Sequence, residues 1–157
     1  GKNLDRSNVV IFQLVKGLED EHKMLLGRKN IAFNNVLHPQ MFVHADKEMI
    51  RIVLRNLISN AIKFTPENGS IDIHAEQTAT DSLIYVEDTG IGMSKETIDR
   101  VNAKQYYTTA GTSMEKGSGF GLMLCSDLIN RHDGSLTIES VPGKGSRFII
   151  KLPVTKA

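Results

Sequence analysis

The sequence predicts an α+β fold, a two-layer α/β sandwich whose mixed, mostly antiparallel sheet is covered on one face by about three helices. Three observations lead there. Amphipathic helical stretches recur near the start, middle and last third of the chain; the strand-like segments follow one another in pairs rather than alternating with helices; and 157 residues suit one core.

Each element has its own signal. Residues 7–26 begin with a cap candidate, Ser7, and place Val10, Ile11, Leu14, Val15, Leu18, Leu25 and Leu26 at near-helical spacing before Gly27. A first helix is expected there. Branched and aromatic residues from Ile31 to Val36, a break at Pro39, and the run from Phe42 to Ala45 predict two short strands. Asp46 can cap a second helix to about Phe64, with Ile50, Val53, Leu54, Leu57, Ile58, Ala61 and Ile62 on its apolar side and Pro66 beyond its end. Residues 70–75 and 82–86 predict a hairpin. Ser94 can cap a short helix over 94–101, and residues 102–118 lack a clean period and predict a long loop. Residues 120–131 return to a helical pattern. The segments 135–140 and 146–152 then alternate as strands around Pro142-Gly143-Lys144-Gly145. No repeat or low-complexity tract interrupts this order.

Composition narrows the classes of function. With 40% hydrophobic and 24% charged residues the chain matches an ordinary globular protein, which excludes collagen-like, disordered and disulfide-scaffold readings. A net charge of +1 without a face-length basic run argues against nucleic acid as a partner. The lone Cys125 forms no internal disulfide and reads as a core residue. Nothing resembles a signal peptide or a spanning segment, so a cytoplasmic location is expected.

Chemistry concentrates in the second half, where nine of the thirteen glycines fall between Gly90 and Gly145 in short clusters. Glycine lets backbone amides approach a ligand closely. On the second helix Asn56, Asn60 and Lys63 fall within roughly 60° of one another at about 100° per residue. That polar stripe meets water, a polar partner or a ligand. As a ligand site it offers neutral amide oxygens suited to Mg²⁺ and a point charge suited to phosphate. The strand 83–86 ends in Glu87-Asp88-Thr89-Gly90-Ile91-Gly92-Met93, where Asp88 either caps a turn through its side chain or accepts from an exocyclic amine such as adenine's. Finally Gly117-Ser118-Gly119-Phe120-Gly121-Leu122 opens a helix, whose free amides suit an anion. It is not a Walker A loop, because no Gly-Lys-Ser/Thr follows, and no βαβ alternation supports a dinucleotide fold.

In chain order, the segment from Asn56 to Phe64, then Asp88-Thr89-Gly90-Ile91-Gly92, then Gly117 to Leu122, then Gly143-Lys144-Gly145-Ser146 resemble the four nucleotide-binding boxes of sensor histidine kinase catalytic domains. The resemblance covers essentially the whole chain. It implies the Bergerat fold, which that family shares with gyrase, the 90 kDa heat-shock chaperone and the mismatch-repair ATPase, and it implies ATP and Mg²⁺ as ligands. By that resemblance Asn60 holds Mg²⁺, Asn56 supports the metal or the reacting phosphate, and Lys63 contacts phosphate. Asp88 takes the adenine amine, Phe64 packs on the base, and Gly90, Ile91 and Gly92 let the base approach. Gly117, Ser118, Gly119, Phe120, Gly121 and Leu122 offer amides to the phosphates, and Ser146 reaches adenine through water. Residues 102–118 become a lid over ATP, with Thr109, Ser113 or Lys116 touching ribose or phosphate.

Departures from the family pattern carry information too. The usual Phe-x-Pro-Phe before the lid is missing, and Phe120 stands where Leu is usual. The chaperone and gyrase branches bear Glu where this chain has Asn56, and an amide cannot serve as a general base for water at neutral pH. The resemblance therefore implies transfer of the γ-phosphoryl group to a His on a dimerising helical hairpin, with a response regulator receiver domain downstream. None of His22, His38, His44, His74 or His132 sits in the family's phosphoacceptor box. The expectation is thus a catalytic piece, monomeric alone, from a homodimeric parent. The rival readings are a serine kinase or ATPase of the same fold, which requires appreciable turnover by this chain alone, and a pseudokinase binding module, which requires loss of Asn60, Asp88 or the Gly117–Gly121 loop.

Overall fold

The computed structural model of the chain describes residues 3–102 and 118–154. Its elements are β1 (Arg6–Val10), α1 (Ile11–Glu21), α2 (Lys23–Lys29), β2 (Ala32–Asn35), β3 (Phe42–Asp46), α3 (Lys47–Phe64), β4 (Ser70–Gln77), β5 (Asp81–Asp88), α4 (Lys95–Asn102), α5 (Ser118–Arg131), β6 (Ser135–Val141) and β7 (Gly145–Pro153). The α+β expectation holds. A five-stranded sheet runs β2-β4-β5-β7-β6, with β2 parallel to β4 and the other neighbours antiparallel.

The start of the chain departs from expectation. Ser7 caps no helix, because residues 6–10 pair antiparallel with β3, Ser7 lying opposite Ala45 and Val10 opposite Phe42. The β-branched Val9-Val10 pair suits a strand, and the unpaired edge of β3 supplies the backbone partners that outweigh a helical continuation. The predicted helix also divides. His22 leaves helical geometry at φ −104°, ψ 12°, so α1 stops at Glu21, and Gly27 lies inside α2 rather than beyond its end.

Strand alternation sorts the sheet's two faces. Ile71 and Ile73, Ile84 and Val86, Leu136 and Ile138, and Phe148, Ile150 and Leu152 are buried at alternate positions beneath the helices. α3 is the central helix of that cover. Its Ile50, Val53, Leu54, Leu57, Ile58, Ala61 and Ile62 are buried, and α5 packs along it. The expected cap is present, with the Met49 amide donating to Asp46 Oδ1 at 3.1 Å.

The C-terminal end of α5 is tied to the start of α3 by His132, which is 1% exposed. Its Nδ1–H donates to the Leu128 carbonyl at 2.8 Å, while Nε2 accepts from the Asp46 amide at 3.1 Å. Both ring nitrogens are committed. His132→Ala removes both bonds and opens a cavity, so it is expected to cost about 3 kcal/mol of stability in urea unfolding. A loss under about 1 kcal/mol would show that the junction does not depend on the ring.

Candidate functional site

Three strands end their core-facing alternation in polar residues at the same edge of the sheet. On β5 the series Ile84, Val86 continues to Asp88; on β7 Ser146 precedes Phe148 and Ile150; on β6 Leu136, Ile138 continue to Ser140. The register aligns them. Asp88 lies opposite Ser146, and Ser146 opposite Ser140. Asp88 Oδ1 accepts from the Gly90 amide at 2.8 Å, so the turn bond allowed by the sequence is made, and the ionised carboxylate keeps further lone pairs. Burial pushes the Asp88 carboxyl above its ordinary value, against the lowering effect of the Gly90 and Ser146 backbone amides.

The chain after Asp88 turns against the end of α3. The Ile91 amide donates to the Phe64 carbonyl at 3.2 Å, and a Cβ on Gly90 would come within 2.6 Å of that carbonyl and 2.7 Å of Asp88 Oδ1. Only glycine fits there. The turn before Ser146 is equally tight, since Gly145 has φ +131° and a Cβ there would strike the Asp88 carbonyl. Adjacent to Asp88, Glu87 points to the outer face, where His74 Nε2 lies at 3.0 Å and Arg147 Nε at 2.7 Å. Arg147 in turn lies 4.3 Å over the Tyr85 ring, which stacks on His74. These contacts fix the strand end from behind.

On α3 Asn56 and Asn60 are both half-buried. Asn56 Nδ2 donates to the Ile52 carbonyl at 3.1 Å, which turns Oδ1 toward α5, where a Cβ on Gly121 would lie 3.3 Å from it. Among the described residues no hydrogen bond engages the Asn60 amide. Lys63 Nζ lies 5.4 Å from the centroid of the half-buried Phe64 ring. Behind the stripe, Cys125 is fully buried, with Sγ 3.6 Å from the Val53 carbonyl and burial pushing its thiol up to about 12. A thiol reagent is expected to label Cys125 only once denaturant unfolds the chain. Labelling of the folded chain at the unfolded rate would contradict that burial.

The predicted residues thus fall into two groups that meet at the last turn of α3. One holds Asp88, Gly90, Ile91, Phe64 and Ser146; the other pairs Asn56 with Gly121, with Asn60 and Lys63 on the same helix. A cleft of about 360 Å³ at this strand end is lined by Asp88, Thr89, Ser140, Lys144 and Ser146 together with Asp72, Glu87, Glu139 and Arg147, the last four at outer-face positions of the strands, and no α3 residue lines it. α5 begins at Ser118, so Gly119 and Phe120 lie in its first turn rather than before it. Thr109, Lys116 and Gly117, with the rest of 103–117, lie outside the described residues. Among the described residues, no group of three or more His, Cys, Asp or Glu side chains gathers to hold a metal. None of their helices is long and apolar enough to cross a membrane. Ser140, Glu87 and Arg147 escaped the sequence reading, although Ser140 had a signal: a polar residue at a core-facing strand position.

Comparison with known proteins agrees with this architecture. The family described as histidine kinase-, DNA gyrase B- and HSP90-like ATPase matches residues 45–156. Sporulation kinase C of Bacillus subtilis (strain 168) is 38% identical over 112 residues, covering 71% of this chain and 25% of that protein. The adaptive-response sensory kinase SasA of Crocosphaera subtropica is 34% identical over 151 residues, covering 95% of this chain and 39% of that protein. The chain therefore spans between a quarter and two fifths of the length of these relatives. Among solved structures, the nucleotide-free catalytic domain of histidine kinase ThkA superimposes with a TM-score of 0.83 at 27% identity, covering 98% of this chain and all of that one. ThkA has also been solved in complex with response regulator protein TrrA, where the match has a TM-score of 0.77 at 26% identity over 96% of this chain and 42% of that one.

Proposed function

Because the chain belongs to the histidine kinase-, DNA gyrase B- and HSP90-like ATPase family, we propose that it is a single catalytic domain, 1–157, that binds Mg-ATP and donates the γ-phosphoryl group to a histidine on a separate helical hairpin. The observation that carries this reading is the junction of Gly90 and Ile91 with the end of α3, which couples the acidic strand end to the amide-bearing helix. In this reading Asp88 accepts from the adenine amine, with Ser146 beside it through water. Phe64 packs on the base, which Gly90, Ile91 and Gly92 admit.

The residues on α3 fit a hard cation and phosphate. Asn60 has an amide uncommitted among the described residues, and the tethered Asn56 directs its oxygen to the start of α5, so both would hold Mg²⁺, with Lys63 on phosphate. When bound, the ion neutralises charge on the phosphate oxygens. In this reading the amides left free at the start of α5, Gly117 through Phe120, face the same phosphates, Gly121 and Leu122 lie in the turn behind them, and a lid at about 102–118 brings Thr109 and Lys116 over them. These side chains position ATP. The bond from the γ-phosphorus to the ADP oxygen breaks, a bond to the incoming imidazole nitrogen forms, and the imidazole proton leaves. An amide at Asn56 leaves water without a general base, which favours transfer to histidine over hydrolysis.

The wider proposal follows from the relatives. A phosphoacceptor hairpin of the same parent protein supplies the histidine, the parent is a homodimer whose catalytic domain lies in the cytoplasm whether the parent is membrane-anchored or not, and a response regulator receiver domain takes the phosphoryl group onward, as the ThkA–TrrA complex suggests by its composition. Calorimetric titration with a nonhydrolysable ATP analogue, with and without Mg²⁺, tests the core of this. Saturable 1:1 binding strengthened by Mg²⁺ and weakened in Asn60→Asp is expected. Absence of binding overturns the reading, and steady ATP turnover by the chain alone turns it toward an ATPase.

A further inference from the structure

Ser140 lines the strand-end cleft two strands from Asp88, and its hydroxyl has three partners. The Met93 amide donates to Oγ at 2.7 Å, the Gly145 carbonyl lies at 2.8 Å, and Ser146 Oγ lies at 2.9 Å. A serine hydroxyl has one proton and two lone pairs. The Gly145 carbonyl can only accept, so the Ser140 proton goes to it; the Met93 amide can only donate, so it takes one lone pair. One lone pair is left for Ser146, which must therefore donate.

The opposite assignment fails on physical grounds. If Ser140 donated to Ser146, Ser140 Oγ and the Gly145 oxygen would stand 2.8 Å apart with no proton between them, and lone pairs would face each other in a site where Ser146 is only 9% exposed. The proton order is thus set by the backbone. It runs from Ser146 to Ser140 to Gly145.

We propose that Ser140 is a positioning residue for base selectivity: by taking the Ser146 proton, it leaves Ser146 as an acceptor beside Asp88, so that both side chains favour a base edge carrying an amine and disfavour one carrying a carbonyl. The inference rests on the nucleotide reading above and deepens it. When ionised, Asp88 offers acceptors and no donor, and Ser146 lies directly opposite it in the β5–β7 pair. A carbonyl placed there meets lone pairs from Asp88 directly, and from the water that bridges Ser146 to the base once that water's protons go to Ser146 and Asp88. Removing the Ser140 hydroxyl releases the Ser146 proton, which can then turn to the water and free one of the water's protons for a carbonyl.

The test compares ADP with IDP, which carries a carbonyl in place of the exocyclic amine and a proton on N1, and with 6-methoxypurine riboside diphosphate, which carries an oxygen acceptor there and leaves N1 unprotonated as in adenine, by calorimetry on the whole chain with Mg²⁺. The unmodified chain is expected to prefer ADP. Ser140→Ala is expected to narrow that preference about tenfold, roughly the difference between a made and an opposed hydrogen bond, while Ser140→Thr, which keeps the hydroxyl, retains it. In a Ser146→Ala background, Ser140→Ala should narrow the ratio no further. A purely structural Ser140 would weaken all three ligands equally, and an unchanged preference for ADP in Ser140→Ala overturns the relay while leaving nucleotide binding intact. If Ser140→Ala does not fold, a preference that Ser146→Ala leaves unchanged overturns the relay equally. A chain that binds none of these nucleotides overturns the nucleotide reading, and the selectivity argument with it.

Discussion

Asp88→Asn is expected to move ligand affinity and apo stability in opposite directions. The amide still offers one oxygen to the Gly90 backbone, but its NH₂ group replaces acceptors that the adenine amine needs, so affinity for an adenine nucleotide should fall roughly 10- to 100-fold. Stability should rise. The carboxyl is raised from its ordinary value of 3.8, chiefly by burial, so the folded chain keeps a proton through a window above 3.8 in which the unfolded chain has lost it. Stability from this group is therefore greatest at acid pH and falls as pH rises through that window. An amide has no proton to lose. Urea midpoints at neutral pH should be higher for Asp88→Asn than for the unmodified chain, and the difference should shrink as pH falls toward 4. A variant that loses stability at neutral pH would mean that Asp88 acts mainly as a structural cap. One that keeps full affinity would remove Asp88 from the base pocket.

The second large effect is expected at Gly145. Its φ of +131° is open essentially to glycine alone, and an added Cβ would meet the backbone of the very residue whose side chain defines the pocket. Gly145→Ala should cost about 2–4 kcal/mol, from backbone strain plus displacement of β5 from β7. Gly143 is the control. It has φ +81° but nothing within 4 Å of its Cβ position, so Gly143→Ala should cost only about 1 kcal/mol. Equal costs at the two positions would show that the contact with Asp88 is not what makes Gly145 necessary.

Much of this fold was legible in the sequence because local signals and tertiary demands agree along most of the chain. Asp46 caps α3 as its side chain suggests, Pro66 follows the end of that helix, and the paired strands on either side of residues 78–80 and 142–144 are joined as hairpins. The failure at Ser7 is instructive. Residues 6–10 take their structure from β3, more than thirty residues away, and no local pattern records that an unpaired strand edge waits there. His22 divides the first helix for a similarly distant reason, its ring bonding to the Leu18 carbonyl and to Ser59 on α3.

The candidate site was legible only as separate clusters. Asp88 announced itself by ending an apolar strand at a glycine turn, and Asn56 and Asn60 by sharing one helical face. Ser140 did not, because a serine in a strand is ordinary until the register with Ser146 is known. Glu87 and Arg147 were invisible for the same reason, since their pairing crosses from β5 to β7. Cross-strand partners are properties of topology, which local spacing does not encode.

In the proposed function the amide stripe of α3 and the polar row at the ends of β5, β6 and β7 serve one magnesium-bound nucleotide. Titrating isotopically labelled chain with a nonhydrolysable ATP analogue and Mg²⁺, while following backbone amide resonances, tests it most directly. The expected result is that Asn60, Gly90, Gly121 and Ser146 shift along a single saturation curve with one dissociation constant. Shifts confined to one of the two groups, or two groups saturating with separate constants, would contradict it.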